Sequence, residues 1–239
     1  MKVLNTMLAA VAIVLLVSGC SKKPLNYVPE DAEFVVYLNA EKALDSKVWE
    51  MLEDDKTFSK EVLKEFKKET GISDIEDLAG KAVLWGRFKN KEPEADGMVV
   101  ILNEDKAEIL FEKLRDKADD NGLTVKKTDI DDHEAIVIYV DENRKKCFGG
   151  IVLVSDRELH FTFGEEPEIF EKTGASKIAS AIDSSAIMAV ATNGEALDDL
   201  VGNETDIDNL DDIGIIKSEV FCSRNEITVK ASADISELK

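Results

Sequence analysis

From residue 27 onward, short stretches of alternating apolar and polar residues are interleaved with stretches of helical spacing. Glu33 to Asn39 reads as the first strand, with Val35, Val36, Tyr37 and Leu38 at its centre. Leu44, Val48, Trp49 and Leu52 recur at helical spacing around the turn residues Asp45 and Ser46. Phe58, Val62, Leu63 and Phe66 mark a second amphipathic helix that Gly71 stops. Residues 82–88 and 98–102 read as strands joined by a polar loop containing Pro93 and Gly97. Ala107, Leu110, Phe111, Leu114 and Ala118 share one face of a long helix ended by Asn121-Gly122. Strand pairs follow at 123–128 and 135–140, then at 150–154 and 159–163. Helical spacing returns at Ile169, Phe170, Ile178 and Ile182. Residues 186–191, a helix from Glu195, and strands near 215–222 and 227–231 complete the pattern.

Strands adjacent in sequence usually pair antiparallel, so the expected class is α+β: a mixed, mostly antiparallel sheet with helices on one face. No linker rich in Pro, Gly or Ser interrupts the chain after residue 27, which predicts one body with halves near 27–141 and 142–239. An echo points to an internal repeat. Asn39-Ala40-Glu41-Lys42-Ala43-Leu44-Asp45 follows the first strand as Asn193-Gly194-Glu195-Ala196-Leu197-Asp198 follows the strand at 186–191. Val83-Leu84-Trp85-Gly86-Arg87 likewise resembles Val220-Phe221-Cys222-Ser223-Arg224. The expectation is that Glu33–Leu102 has a second copy in Ala186–Ala233.

The first twenty residues follow a different rule. Met1-Lys2 gives a weakly positive start, and Met7 to Val17 is an unbroken apolar run of eleven residues. At about 1.5 Å rise per residue, such a helix is too short for a hydrocarbon core of about 30 Å. The run ends in Leu16-Val17-Ser18-Gly19-Cys20. A charged start, a short apolar region and small residues before a cut site make a secretory signal. This junction resembles the lipobox of bacterial lipoproteins, in which the cysteine thiol receives a diacylglycerol before cleavage; Val17 stands where leucine is commoner. The resemblance implies a signal peptide at 1–19, a lipidated tether at 20–26 and an α+β extracytoplasmic domain at 27–239. Cys20 is then the lipidation site, and the membrane is a partner through its lipid. One acyl chain holds a protein only reversibly, whereas two or three on one cysteine anchor it firmly. Ser21-Lys22-Lys23 places no aspartate beside the cysteine. By resemblance to sorting in two-membrane bacteria, that favours the outer membrane, facing the periplasm.

A broader resemblance runs through the segment Tyr27-Val28-Pro29-Glu30-Asp31-Ala32-Glu33-Phe34-Val35-Val36-Tyr37. It continues in Asp45-Ser46-Lys47-Val48-Trp49 and Thr70-Gly71-Ile72-Ser73-Asp74-Ile75-Glu76-Asp77-Leu78. These segments are similar to uncharacterised bacterial lipoproteins in which duplicated α+β units follow a lipid anchor. The similarity implies a fold and an address, and offers no catalytic residue to carry over.

Composition narrows the partners. Lys and Arg number 30 against 50 Asp and Glu, a net charge of −20, while 44% of residues are hydrophobic, enough for a sizeable core. Nucleic acid is excluded as a partner, because phosphate binding needs clustered cations. Adsorption of the folded body to an anionic lipid surface is excluded on the same ground. A protein or other partner with cationic groups is favoured instead.

Candidate chemistry is thin. The two histidines, His133 and His160, fit no His-Glu-x-x-His spacing, and Gly-x-Ser-x-Gly, Walker and dinucleotide-binding patterns are absent. In Leu159-His160-Phe161-Thr162-Phe163, alternation puts His160 with Thr162 on the polar face, as an exposed strand histidine. Asp129-Ile130-Asp131-Asp132 and Asp206 to Asp212 offer hard oxygens, but the latter lacks the ligand pattern and the sixth-position glycine of an EF-hand, so solvated acidic turns are expected. Trp49, Trp85, Phe161 and Phe163 fall at core spacing. Cys147 and Cys222 both lie near predicted strands. Chain entropy favours a bridge across so long a loop, yet a free cysteine is an ordinary small core residue, and two unpaired thiols are expected. The expectation is therefore a membrane-anchored, noncatalytic binding or scaffold module, with no catalytic residue, metal or cofactor. Two alternatives stay open: a ligand-binding lipoprotein with a pocket between two similar halves, and a cysteine- or metal-dependent enzyme.

Cys20→Ala is expected to block lipidation, leaving either an uncleaved precursor or a released chain. Metabolic labelling with a clickable fatty acid checks this, and equal labelling of wild type and variant refutes it.

Overall fold

Two segments have no polar face at all. Ala82 and Val83, and all five residues from Met98 to Leu102, are buried without alternation, the pattern of strands covered on both sides. They lie at the centre of the computed structural model of the chain, which describes residues 24–46, 49, 80–90, 92–140, 146–174, 176–201, 213–222 and 226–235. Ten strands form one sheet: β1 (Phe34–Asn39), β2 (Gly80–Lys89), β3 (Glu92–Leu102), β4 (Thr124–Ile130), β5 (His133–Tyr139), β6 (Cys147–Ser155), β7 (Glu158–Phe163), β8 (Met188–Asn193), β9 (Ile215–Cys222) and β10 (Ile227–Ala233). Their order across the sheet is β10-β9-β8-β1-β2-β3-β7-β6-β5-β4, and every ladder among the described residues is antiparallel. Among the described residues helices are few and mostly short: a 3-10 turn at Pro24–Tyr27, α1 (Ala40–Leu44), α2 (Ala107–Asp120), α3 (Lys177–Ser180) and α4 (Gly194–Val201). None of the described helices is long and apolar enough to cross a membrane.

Helix α2 covers one face. Its buried Leu110, Phe111 and Ala118 pack on Met98, Val100, Ile136, Ile138, Leu159 and Phe161, the stripe that its spacing predicts. Asn121 closes it by donating from Nδ2 to the Lys117 carbonyl at 2.7 Å, and Gly122 leaves at φ +75°. The intervening residues of the same strands point the other way. Val83, Trp85, Val99 and Ile101 join Val35, Tyr37, Ala189 and Ala191 in a second core beneath Leu25, Tyr27, Val28 and the Ile178-Ala179 turn of α3. The expectation of helices on one face is therefore corrected. The central strands carry apolar residues on both sides, so both faces need cover, and among the described residues the second cover is mostly irregular chain.

Residues 164–174 show why the spacing misled. Ile169 and Phe170 lie in an extended strap, and only Lys177–Ser180 is helical. The strap begins and ends at glycines of positive φ, Gly164 at +77° and Gly174 at +92°, and contains Pro167, which cannot donate to a helix ladder. Its apolar residues face a sheet, which a covering segment achieves without helical turns. Likewise α1 starts directly after β1, ahead of the turn at Asp45. The predicted helix at 58–66, the acidic run at 206–212, Arg224, the signal and Cys20 lie outside the described residues. The expected tether at 20–26 is shortened, because Pro24–Tyr27 form the 3-10 turn and bury Leu25 in the second core.

The ranges 27–141 and 142–239 do not separate in space, since β6 and β7 sit between β3 and β5. Two runs of three strands share a connectivity. β1-β2-β3 and β8-β9-β10 are both antiparallel meanders, and they meet at the antiparallel β1–β8 ladder, with Val36 opposite Val190. Asn39 Oδ1 accepts from Lys42 N at 3.3 Å, and Asn193 Oδ1 accepts from Ala196 N at 2.7 Å, so both strand-to-helix turns use the same cap. The resemblance between Val83–Arg87 and Val220–Arg224 is not structural. Val220 faces Met188 as Gly86 faces Phe34, so with Asn39 matched to Asn193, Val220 corresponds to Gly86, not to Val83.

The outer strands differ. β4 carries exposed Lys126 and Lys127, charges that guard a sheet edge, whereas on β10 Ile227 and Val229 are 56% and 64% exposed. Cys147 and Cys222, on β6 and β9, are in no disulfide. Six strand spacings separate those strands, about 29 Å at ~4.8 Å each, against the ~7 Å that a disulfide tolerates between Cα atoms. Alkylation of the denatured protein without reductant is expected to label both cysteines, read by peptide mass. A linked Cys147–Cys222 peptide overturns the strand order.

Candidate pocket and its strap

Strand β7 sends Leu159 and Phe161 toward α2 and Glu158, His160 and Thr162 toward the opposite face. The strap then doubles back over these three. Glu168 N donates to Thr162 Oγ1 at 3.1 Å, and Phe170 N donates to His160 Nδ1 at 2.9 Å. Residues two apart on the strap thus meet residues two apart on β7, and side chains replace the backbone carbonyls of a normal ladder. Gly164 N donates to the Phe148 carbonyl at 2.9 Å, and Cys147 Sγ donates to the Glu165 carbonyl at 3.1 Å. Pro167 lies on Gly150, where a Cβ would come within 2.4 Å of its ring.

Beneath the strap is a sealed polar network. His160 is 1% and Glu158 2% exposed. Because Phe170 N–H is a donor, Nδ1 of His160 must accept, which puts the ring proton on Nε2. Nε2 donates to Glu158 Oε1 at 3.1 Å, and the Tyr27 hydroxyl donates to the same oxygen. Burial first, and then the Glu158 carboxylate, push the Tyr27 phenol well above its ordinary range. Aromatic rings close the site: Phe170 stacks on His160 at 5.4 Å and meets Trp85 edge-on at 4.8 Å. Tyr27 meets His160 edge-on at 5.2 Å, with Lys172 Nζ 5.1 Å from the Tyr27 ring centre. Gly97 makes room for this packing, since a Cβ there would stand 2.4 Å from Trp85 and 2.7 Å from Phe170.

Between the strap and β2–β3 is an open pocket of about 270 Å³. Tyr27, Trp85, Thr162 and Phe170 contribute to its walls, and Arg87 with several carboxylates lines it further. Arg87 is engaged already, with Nε 2.9 Å from Asp96 and Nη1 3.6 Å from Asp31. Glu165, Glu168 and Glu171, all exposed on the strap, add further negative charge. Its surplus carboxylates can attract a small cationic group.

His160 shares a face with Thr162 as alternation predicts, but it is sealed, because the strap covers that face. His133 lies half-buried at the start of β5, two strands away from β7, and lines no part of the pocket. Asp131 and Asp132 form the β4–β5 turn at φ +49° and +67°. Among the described residues no three His, Cys, Asp or Glu converge to hold a metal. The Cys147 thiol faces backbone carbonyls, and burial raises its pKa, which does not favour a reactive thiolate. Trp85 is buried as predicted for core and also lines the pocket. Phe170, Tyr27 and the strap carboxylates were missed; Pro167 between two glycines was the available signal.

Tyr27→Phe removes a hydrogen bond from a buried carboxylate and is expected to cost about 1.5–3 kcal/mol at neutral pH, measured by urea unfolding. The raised phenol pKa contributes stability that is complete below about pH 10 and is lost as pH rises. The variant's stability should therefore decline less steeply above pH 10.

No protein-family model matches the chain, and no curated protein matches it. Among solved structures, the chain is similar to crystal form III of TP0453, at 11% identity and a TM-score of 0.49, covering 92% of this chain and 82% of that one. Crystal form IV gives 12% identity and a TM-score of 0.46, covering 89% and 81%. Crystal form I gives 12% identity and a TM-score of 0.45, covering 92% and 81%.

Proposed function

We propose that the chain is a lipid-anchored lipoprotein of the bacterial cell envelope, held in the outer membrane facing the periplasm through Cys20. Its folded body is a noncatalytic binding module that takes a cationic group at the pocket beside the strap. The address rests on the Leu16–Cys20 junction. The binding role rests on one observation: Arg87 is engaged by Asp31 and Asp96, so Glu165, Glu168 and Glu171 leave the pocket with surplus negative charge. A noncatalytic role is supported by the sealing of His160 and Glu158 away from solvent.

The same reading includes an internal duplication of the units at 33–102 and 186–233, supported by the matching meanders and by the shared Asn39 and Asn193 caps. The pocket does not lie between those units, for none of its lining residues falls in 186–233.

A lysine-rich peptide is the probe. The full chain in detergent is expected to bind it in a salt-sensitive manner, and the triple variant Glu165→Gln, Glu168→Gln, Glu171→Gln to bind about tenfold more weakly. A control triple on exposed α2 positions, Glu108→Gln, Asp119→Asn, Asp120→Asn, removes equal charge elsewhere. Equal weakening by both triples refutes the pocket and leaves only the general attraction of an acidic protein.

A further inference from the structure

We propose that His160 is an acid-sensitive latch: a proton taken up at Nδ1 releases Phe170 and lifts the strap from the pocket. The strap crosses β7 on two side-chain acceptors, Thr162 Oγ1 and His160 Nδ1. A hydroxyl oxygen stays an acceptor throughout the physiological pH range, but an imidazole nitrogen does not. Once protonated, Nδ1 carries a hydrogen aimed at the Phe170 N–H. Two donors then face each other in a site with 1% exposure, where an unsatisfied buried donor is costly.

The groups around the ring decide where the proton is tolerated. On β7 itself, Glu158 lies 3.1 Å from Nε2 and attracts the imidazolium. From the N-terminal turn, Tyr27 is bonded to that carboxylate and sets its ring edge against the imidazole. From the strap come the Phe170 ring, stacked at 5.4 Å, and Lys172, whose ammonium lies 5.1 Å from the Tyr27 ring centre and opposes a second positive charge. The cross-strand neighbours of His160 are Val99 on β3 and Val152 on β6, both uncharged. Glu158 can therefore keep the protonated ring on β7, and the conflict falls on the Nδ1 side, against the strap. Lifting the strap removes the opposing donor and wets the ring, so the donor–donor conflict at Nδ1 is relieved only in the open form.

The consequence is geometric. Phe170, Glu165, Glu168 and Glu171 form the strap's side of the pocket, and Phe170 covers Trp85. Release of Phe170 uncovers that indole and disperses the strap carboxylates. The switch does not depend on what the pocket holds.

Hydrogen exchange on the full chain in detergent tests this, with labelling times corrected for the intrinsic pH dependence of exchange. Peptides spanning 164–174 are expected to exchange at least tenfold faster at pH 5.0 than at pH 7.5 in the wild type. His160→Asn supplies a neutral oxygen near the Nδ1 position and should stay protected at both pH values, whereas His160→Phe should exchange fast at both. Unchanged wild-type protection between the two pH values overturns the proposal, as does an equal acid response in His160→Asn. Should a variant fail to fold, the wild type alone still decides. The titration of the His160 ring, followed by NMR, must share its midpoint with the exchange transition, and separate midpoints overturn the latch.

Discussion

The imidazole of His160 ties together β7, the strap that follows it and, 131 residues away from Glu158, the N-terminal turn. Through Nε2 it joins Glu158, to which Tyr27 of the N-terminal turn is also bonded; through Nδ1 it takes the strap. Burying a carboxylate and an imidazole is unfavourable unless their hydrogen-bonding capacity is met. Here it is met by partners whose positions the rest of the fold must guarantee. Tyr27 reaches Glu158 only if residues 24–28 pack on the second face, and the Phe170 amide points down only if Pro167 and Gly150 set the strap's path. The network is thus less a source of stability than a condition of consistency among separate parts.

That condition follows from a sheet with two hydrophobic sides. β2 and β3 supply Ala82, Met98 and Val100 to one core and Val83, Val99 and Ile101 to the other. A four-turn helix suffices to cover the first. The second is closed by a 3-10 turn, an extended strap and one turn of α3, elements with little internal hydrogen bonding. Their backbone donors need partners on the sheet face, which explains why polar side chains occur at His160 and Thr162 beneath them.

The elements with strict period were legible in the sequence. The strands at 34–39 and 158–163 and helix α2 fall where alternation and the Leu110-Phe111-Ala118 spacing place them. The strap was not legible, because Ile169 and Phe170 continue the helical spacing of Ile178, which does lie in α3, while being read, in the folded chain, by a flat surface. The polar face of β7 was identified correctly from Leu159, Phe161 and Phe163, but its burial depends on a segment that pairs through side chains, a geometry with no periodic signature. The pocket was illegible for the same reason: Tyr27 and Phe170 reach Trp85 from covering segments outside the sheet, and local pattern does not encode where such segments pack.

The position of β1 between β2 and β8 also shapes the order in which the protein can be built. Its partner β8 begins 154 residues after β1 itself, so at typical synthesis rates of ~5–20 residues per second β1 waits roughly 8 to 30 seconds for its second neighbour. During that interval one long side of Phe34–Asn39, among the most apolar segments of the chain, is an open template for any other extended chain. Central strands that close last make folding slow and leave nascent chains exposed to mispairing. The cell that makes this protein must shelter residues 34–39 until residues 188–193 arrive.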